Sequence, residues 1–218
     1  MKELDYSISS SLISELLEVI VHQILYTREL YPRNAFQQKR KYNIPVQVMC
    51  LHPGVCAYIH DIVEGAKPLL QTGSLKALQL VVTAPDNGRA LEKFVFRLSQ
   101  NSIIPADLRK VELSQLEESF RALCLKLSVS DNLLKPLPPR CSYKILLQLP
   151  MESLGSLHSK QVSDGAERAW IAAEPTDDMI NVPKVVPLKD LSCELCSLQL
   201  YVEQTTDDYG HVAIAGPS

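Results

Sequence analysis

Apolar residues recur at helical spacing in three stretches of the chain. The first stretch, residues 7–30, starts among serines that can cap a helix and stops before Tyr31-Pro32. Its apolar stripe is wide and is flanked by further aliphatic residues, so we expect this helix to be central. The same spacing predicts a second helix over residues 52–70 and a third over residues 107–129.

Alternation of apolar and polar residues predicts three strands. Residues 78–82 and 93–98 flank a strong turn signal at residues 85–88, so we expect them to form a hairpin with one buried face, with Lys93 on the other. A proline-rich connector at residues 135–140 then leads into a third strand over residues 143–149. Helices that cover one face of a small antiparallel sheet make an α+β domain, which is the predicted fold class.

The last third of the chain has a different pattern. Residues 151–169 are rich in serine, glycine and charge, and prolines at 183 and 187 interrupt the segment that follows. Only residues 195–202 have the pattern of a strand. A tail of this length cannot form its own core, so it is either disordered or wrapped around the preceding domain. Trp170 and the apolar residues of the last strand favour wrapping.

Composition and charge narrow the class of protein. The chain has 218 residues, 46% of them hydrophobic and 22% charged, with a net charge of −3, which fits one large globular domain. A pI near 6.0 argues against nucleic acid bound over a broad basic face. No apolar run is long enough for a membrane span, and acidic residues such as Glu3 and Asp5 do not suit a signal peptide. We therefore expect a soluble, intracellular protein.

The six cysteines offer a weak metal or redox signal. Cys193 and Cys196 have CxxC spacing, which suits a redox pair or half of a zinc site. A zinc site needs a second matched pair, and Cys50 and Cys56 are too far apart in sequence, with His52 between them. Buried free thiols are the favoured interpretation, and neither a metal nor a cofactor is predicted.

Residues 39–41, Lys-Arg-Lys, are predicted to form a basic loop. Such a loop could be a nuclear-import signal or a phosphate contact. Three solvated charges on a loop are the commoner case.

The sequence contains no motif of a catalytic site. Nucleophile elbows, phosphate-binding glycine loops and HExxH zinc motifs are all absent. His22 and His60 fall within predicted helices and His158 within a loop, and none has a cysteine or serine at a motif spacing. The residues taken alone therefore favour a binding module over an enzyme.

Five short stretches carry a resemblance to a known family: 17–26, 28–32, 41–47, 92–96 and 199–203. They resemble the HORMA-domain family, and within it the accessory, non-catalytic subunits of translesion DNA polymerase zeta. The resemblance implies three helices packed on an antiparallel sheet, followed by a mobile C-terminal "safety belt" that closes over a partner's peptide. The HORMA core would be residues 1–150, and the belt and tail residues 151–218, within one structural domain.

The resemblance also implies two partner-binding surfaces. Tyr58 and Trp170 match the family's contacts to a proline-containing peptide of the catalytic subunit, although from the residues alone both could be core aromatics. Val185, Gln199 and Tyr201 match its surface for the C-terminal domain of the deoxycytidyl-transferase translesion polymerase, which is the scaffold polymerase. Without the resemblance, these three could equally be a solvent-facing strand surface.

A third match concerns self-association. Arg121 matches the arginine through which family members form homodimers. On helical spacing alone, Arg121 could instead pair with Glu117 or Glu118 on a wet face. The tail after Glu203 and residues 151–169 depart from the family pattern, so the resemblance assigns no function to the tail and does not locate the hinge of the belt.

The function implied is that of a nuclear, non-enzymatic adaptor for DNA damage tolerance and repair. It would bridge the catalytic subunit of polymerase zeta and the scaffold polymerase, without direct membrane binding. Other implied partners are end-protection (shieldin-like) subunits at double-strand breaks and a remodelling AAA+ ATPase. The alternative is a mitotic checkpoint regulator that binds activators of the anaphase-promoting complex, with locations extending to cytoplasm and spindle.

Overall fold

The computed structural model describes residues 2–100, 113–153, 171–174, 176–192 and 196–207. Three long helices and seven strands lie in these ranges, besides short helical turns: α1 (Lys2–Thr27), β1 (Phe36–Lys41), β2 (Ile44–Met49), α2 (Pro53–Gln71), β3 (Ala77–Thr83), β4 (Ala90–Gln100), α3 (Leu113–Ser128), β5 (Ser142–Gln148), β6 (Lys184–Ser192) and β7 (Cys196–Gln204). β1 and β2 form a two-stranded sheet, and the others form an antiparallel sheet in the order β5-β3-β4-β7-β6. The α+β prediction is confirmed. None of the described helices is long and apolar enough to cross a membrane.

Helix α1 is the centre of the core, as its wide stripe predicts. It contacts α2, α3 and β2, and its aliphatic residues from Leu16 to Leu25 are almost completely buried. The helix ends before the predicted limit because Glu29 takes a left-handed φ of 51°. Leu30 N–H then donates to Leu25 O (3.0 Å) and Glu29 N–H to Tyr26 O (3.1 Å), which is a Schellman motif.

The basic residues 39–41 do not form a loop, so that prediction is wrong. They lie in β1, which pairs with β2 in a hairpin. The two-residue turn consists of Tyr42 and Asn43, at φ 50° and 58°, the conformation that a type I′ turn requires. The turn lacks the glycine that usually marks it, which is why the sequence pattern did not reveal the hairpin. Lys39 and Arg40 are exposed, and Lys41 binds Glu15 at 2.6 Å.

The five-stranded sheet is covered on both faces at β3. β3 and β4 form the predicted hairpin, and Leu80 and Phe94 face the helices. The expectation of a single buried face is wrong for β3, whose seven residues are all buried. On the far side from the helices, Val81 packs against Ile180 from the last third of the chain. A segment distant in sequence therefore covers this face.

The remaining core elements lie close to their predicted positions. α2 and β5 differ from their predicted ranges by a residue or so. α3 is described from Leu113, and the predicted start at residues 107–112 lies outside the described residues. Gly73, at φ 70°, ends α2 in a second Schellman motif with Ser74 N–H donating to Leu69 O at 2.9 Å.

The described part of the last third wraps onto the domain, as predicted. β7 pairs with β4 along its whole length. The prediction that only one strand follows residue 151 is wrong, because Lys184–Ser192 forms β6 beside β7. The strand was not predicted because Pro187 interrupts its sequence, and a proline within a run argues against a strand. Pro187 is tolerated because β6 is at the sheet edge and the register shifts between Pro187 and Lys189.

Candidate peptide-binding site

The outer edge of β5 is open among the described residues. The strand order places β5 at one end of the sheet, and its described pairing is with β3 alone. One row of its backbone N–H and C=O groups therefore faces away from the sheet. Such an edge can accept an extended peptide as an additional strand.

An aromatic cluster lies beside this edge. Tyr143, on β5, contacts the rings of Tyr31 and Tyr58 edge-on, each at 6.3 Å between centroids, and Tyr31 also contacts His52 at 5.4 Å. Tyr58 comes from α2 and is 41% exposed. Burial of the rest of its ring raises the pKa of Tyr58, and a backbone hydrogen bond from Ile145 of β5 opposes the shift. Tyr58 thus presents an aromatic surface with a polar tip next to the open edge.

The chain returns across the far face of the sheet. Asp177 accepts a hydrogen bond from Lys144 Nζ of β5 at 2.6 Å, and Lys93 Nζ of β4 lies 3.2 Å from Asp178 Oδ2. The Lys144 contact lowers the pKa of Asp177. Ile180 packs nearby on an apolar patch made by Val81, Ala90 and Leu146. These contacts fasten the crossing segment, residues 176–180, from β5 to β4.

The structure places the residues of the second predicted surface on one face at the opposite end of the sheet. Gln199 and Tyr201 are two residues apart on β7, so they point to the same face of the sheet, as does Glu203. Val185 of β6 pairs with Glu203 and therefore lies on this face too. Val185 is 55% exposed. Tyr201 is half-buried, with the Arg97 guanidinium 5.8 Å from its ring centre and Arg97 Nη2 donating to its hydroxyl at 3.3 Å.

The other predicted site residues divide into two cases. Trp170 lies outside the described residues. Arg121 is half-buried on α3, and its Nε donates to the carbonyl of Tyr42 at 2.9 Å. In the described part of the chain, Arg121 forms no ion pair with Glu117 or Glu118, and Glu117 accepts instead from Asn43 Nδ2 at 2.9 Å. The ion-pair alternative for Arg121 is therefore wrong, and α3 is tied to the β1–β2 turn.

The family of the chain follows from sequence comparison. A model of the HORMA domain matches residues 9–149, which run from α1 to the end of β5. The chain belongs to the HORMA-domain family. The crossing segment and the β6–β7 hairpin lie beyond the matched range.

Relatives similar over most of their length cover the HORMA domain and the segment after it. The chain is 36% identical over 195 residues to the Bos taurus mitotic spindle assembly checkpoint protein MAD2B, covering 89% of this chain and 90% of that protein. It is 33% identical to a DNA polymerase zeta processivity subunit of Arabidopsis thaliana, covering 87% and 82%. A DNA polymerase zeta subunit 2 of Drosophila melanogaster is 30% identical, covering 78% and 83%.

Solved structures with low sequence identity share the fold. A chain of the mitotic checkpoint complex superposes with a TM-score of 0.74 at 22% identity, covering 91% of this chain and 99% of that one. C. elegans HTP-2 bound to a HIM-3 closure motif gives 0.68 at 14% identity, covering 91% of each chain.

Cysteine chemistry adds no second site to the described HORMA domain. The described cysteines 50, 56, 124 and 141 are free, and no group of metal-ligating side chains occurs in the described ranges. Burial raises the pKa of Cys124 to about 12 and that of Cys141 to about 11, so both thiols stay protonated at neutral pH. The predicted CxxC pair includes Cys193, which lies outside the described residues.

Sequence reasoning did not identify several side chains of this site. Tyr143 was expected only as a strand residue, and its position between Tyr31 and Tyr58 depends on how the loop after α1, helix α2 and strand β5 meet. Lys93 and Lys144 lie on the polar face of predicted strands, where a lysine needs no explanation. Their acidic partners lie 85 and 33 residues further along the chain, so no local signal could have identified them.

Proposed function

We propose that this HORMA domain is the non-catalytic adaptor subunit of translesion DNA polymerase zeta. Residues 1–150 would be the body and residues 151–218 the belt that clamps a peptide of the catalytic subunit. The observation that carries the proposal is the open edge of β5, with half-exposed Tyr58 beside it and the crossing segment fastened nearby. Relatives named as polymerase zeta subunits support the identity of the partner.

The peptide would add to β5 as a sixth strand. Main-chain hydrogen bonds to β5 would supply affinity, and the aromatic surfaces of Tyr58 and Trp170 would select the proline-containing segment. Because the belt would pass around the peptide, dissociation would require the belt to open. Residence times would then be long for the area buried.

The second surface would serve the scaffold polymerase. Val185, Gln199 and Tyr201 would bind the C-terminal domain of the deoxycytidyl-transferase translesion polymerase, at the opposite end of the sheet from β5. The two partners could therefore bind at once, and the adaptor would link them at a damaged template in the nucleus. Arg121, beside the β1–β2 turn, would contribute to a homodimer.

Peptide capture is tested with a fluorescent proline-containing peptide of the catalytic subunit from the same organism. We expect slow, tight binding to the wild type and about tenfold or more weaker binding to Tyr58→Ala and to Trp170→Ala, as for anchor aromatics. Leu133→Ala is the matched control, since this apolar side chain is 44% exposed, lies in the short helical turn after α3, and has no described contact with β5 or the aromatic cluster. It should bind as the wild type does. Failure of a folded wild-type protein to bind, after mild warming to open the belt, would contradict the assignment.

A checkpoint regulator is the second candidate. It is favoured by the relative named a mitotic spindle assembly checkpoint protein. In that case the belt would hold a peptide of an activator of the anaphase-promoting complex, with roles in cytoplasm and spindle. The two candidates are separated by a competition experiment, in which the peptide of the catalytic subunit and the peptide of the activator are offered to the same protein. The peptide that binds more tightly indicates the partner. End-protection subunits and an AAA+ remodeller would be further partners of the same belt.

A further inference from the structure

The last strand of the belt ends in a buried polar cluster on the helix side of the sheet. Glu92 of β4 is completely buried, and Arg28, the residue after α1, donates to it twice, from Nε at 3.0 Å and from Nη2 at 2.7 Å. Gln204, the last residue of β7, donates from Nε2 to the same carboxylate at 2.6 Å and is 1% exposed. Burial raises the pKa of Glu92, while Arg28 and Gln204 act in the opposite direction.

The same cluster includes the segment that follows α3. The backbone N–H of Lys135 donates to Gln204 Oε1 at 3.1 Å, and Arg28 Nη2 donates to the carbonyl of Lys135 at 2.6 Å. Arg28 also pairs with Asp131. The amide of Gln204 thus binds both to Glu92 and to this segment, so its loss would remove one donor from the buried Glu92 carboxylate and one link between β7 and the segment after α3.

The neighbouring residue of β4 holds the belt on the other face. Lys93 Nζ lies 2.8 Å from Glu203 of β7 and 3.2 Å from Asp178 of the crossing segment. Its side chain is 11% exposed, so water screens these ion pairs incompletely. Consecutive strand residues point to opposite faces. Glu92 therefore binds β7 on the helix side of the sheet, and Lys93 binds β7 and the crossing segment on the opposite side.

We propose that Glu92 and Lys93, with Arg28 and Gln204, form a clasp that positions the belt and sets its rate of opening. Opening the belt breaks charge-assisted hydrogen bonds on both faces and leaves Glu92 buried with one donor fewer. All four are positioning residues, since they act through β7 and lie away from the open edge of β5. The consequence for peptide release rests on the proposed function, whereas the consequence for belt opening does not.

Hydrogen exchange on the peptide-free, full-length protein tests the clasp directly. In Gln204→Ala and in Lys93→Met, the amides of residues 200–204 should exchange roughly tenfold to a hundredfold faster, as expected for losing a hydrogen bond to a charged group. The amides of β3 should keep their wild-type rates, because the bonds that are lost join β4 to β7 and to the crossing segment and not to β3. Circular dichroism confirms that both variants fold.

Two matched controls accompany these variants. Thr206→Ala changes an exposed side chain two residues beyond Gln204 and keeps the carbonyl that accepts from Lys135 Nζ at 2.9 Å. Lys76→Met removes an exposed ammonium group, at the start of β3, that binds only the carbonyl of Gly73 at 3.4 Å in the described structure. Both controls should leave exchange in β7 at its wild-type rate.

The fluorescent peptide of the polymerase zeta catalytic subunit supplies the second readout. Its dissociation rate should rise in Gln204→Ala and Lys93→Met by the factor seen in exchange. Faster exchange in β7 with no peptide binding to the wild type would uphold the clasp and overturn the proposed function. Wild-type exchange in both variants, or equal acceleration of β3 and β7, would overturn the clasp whether or not the peptide binds.

Discussion

At the scale of single residues, His22 is a buried base that the fold keeps neutral. It lies on α1 and is 3% exposed, and its Nδ1 accepts a hydrogen bond from the N–H of Met49 in β2 at 3.4 Å. Burial, with a smaller contribution from Lys39, lowers the pKa of His22 to about 4. In the unfolded chain, His22 binds a proton as the pH falls below about 6.5. In the folded chain, it is protonated only near pH 4. Stability is therefore complete above pH 6.5 and falls as the pH drops toward 4.

Replacement of His22 removes this acid sensitivity. Between pH 7.5 and pH 5, the wild type should lose about 2 kcal/mol more of its free energy of unfolding than His22→Gln, which cannot titrate and can still accept from Met49. Urea unfolding at the two pH values measures the difference. His60→Gln, at an exposed position on α2, is the control and should behave as the wild type. Equal losses in the wild type and His22→Gln would contradict the account.

At the scale of elements, backbone conformations decided where α1 ends and where the first hairpin turns. Glu29, Tyr42 and Asn43 all have positive φ. Residues with a Cβ pay a steric cost there, so packing of the flanking elements must compensate for it. The sequence rules expect glycine at such positions, which explains why the end of α1 and the β1–β2 hairpin differ from prediction.

Glycine at the helix end should stabilise the protein. Glu29→Gly relieves the left-handed backbone but loses the exposed ion pair with Arg33 (2.8 Å), so we expect a net gain of about 0.5–1 kcal/mol. Glu29→Ala is the matched control, because it loses the ion pair and keeps the Cβ. Thermal unfolding of the three proteins should place Glu29→Gly above the wild type and Glu29→Ala at or below it. A lower melting temperature for Glu29→Gly would show that its φ carries no strain.

At the scale of the whole molecule, the sheet separates two candidate surfaces. The β5 edge with Tyr58 lies at one end, and the β6–β7 face with Tyr201 lies at the other. Distant sites without shared contacts contribute independently to stability and binding. The proposed adaptor role depends on this separation, since both partners must bind together.

Variants at the two surfaces should therefore have separate effects. Tyr201→Ala should weaken binding of the scaffold polymerase C-terminal domain by about tenfold, the loss typical of an interface aromatic, and leave peptide affinity unchanged. Tyr58→Ala should do the reverse, so each variant is the control for the other. Titration calorimetry with both ligands on each variant measures the four affinities. Loss of both ligands in either variant would contradict two separate surfaces.

The sequence alone was enough to predict most helices and strands of the HORMA core and one residue of the candidate peptide-binding site, Tyr58. The stripe of α1, the positions of α2 and β5, and the β3–β4 hairpin follow from periodicity, because each depends on residues within a few positions of one another. Tyr58 was predicted, and it lies half-exposed beside the open edge. Its role in binding a peptide stays a prediction, as do those of Trp170, Val185, Gln199, Tyr201 and Arg121.

Only the tertiary structure decided the sheet order, the strand β6, the buried second face of β3 and the polar cluster at Glu92. Arg28 and Glu92 are 64 residues apart, and Glu92 and Gln204 are 112 apart. Pairing between such distant segments leaves no local periodicity, because each partner alone looks like an ordinary charged or polar residue. The sequence determines which faces must be buried, and the tertiary structure decides which distant segment covers each of them.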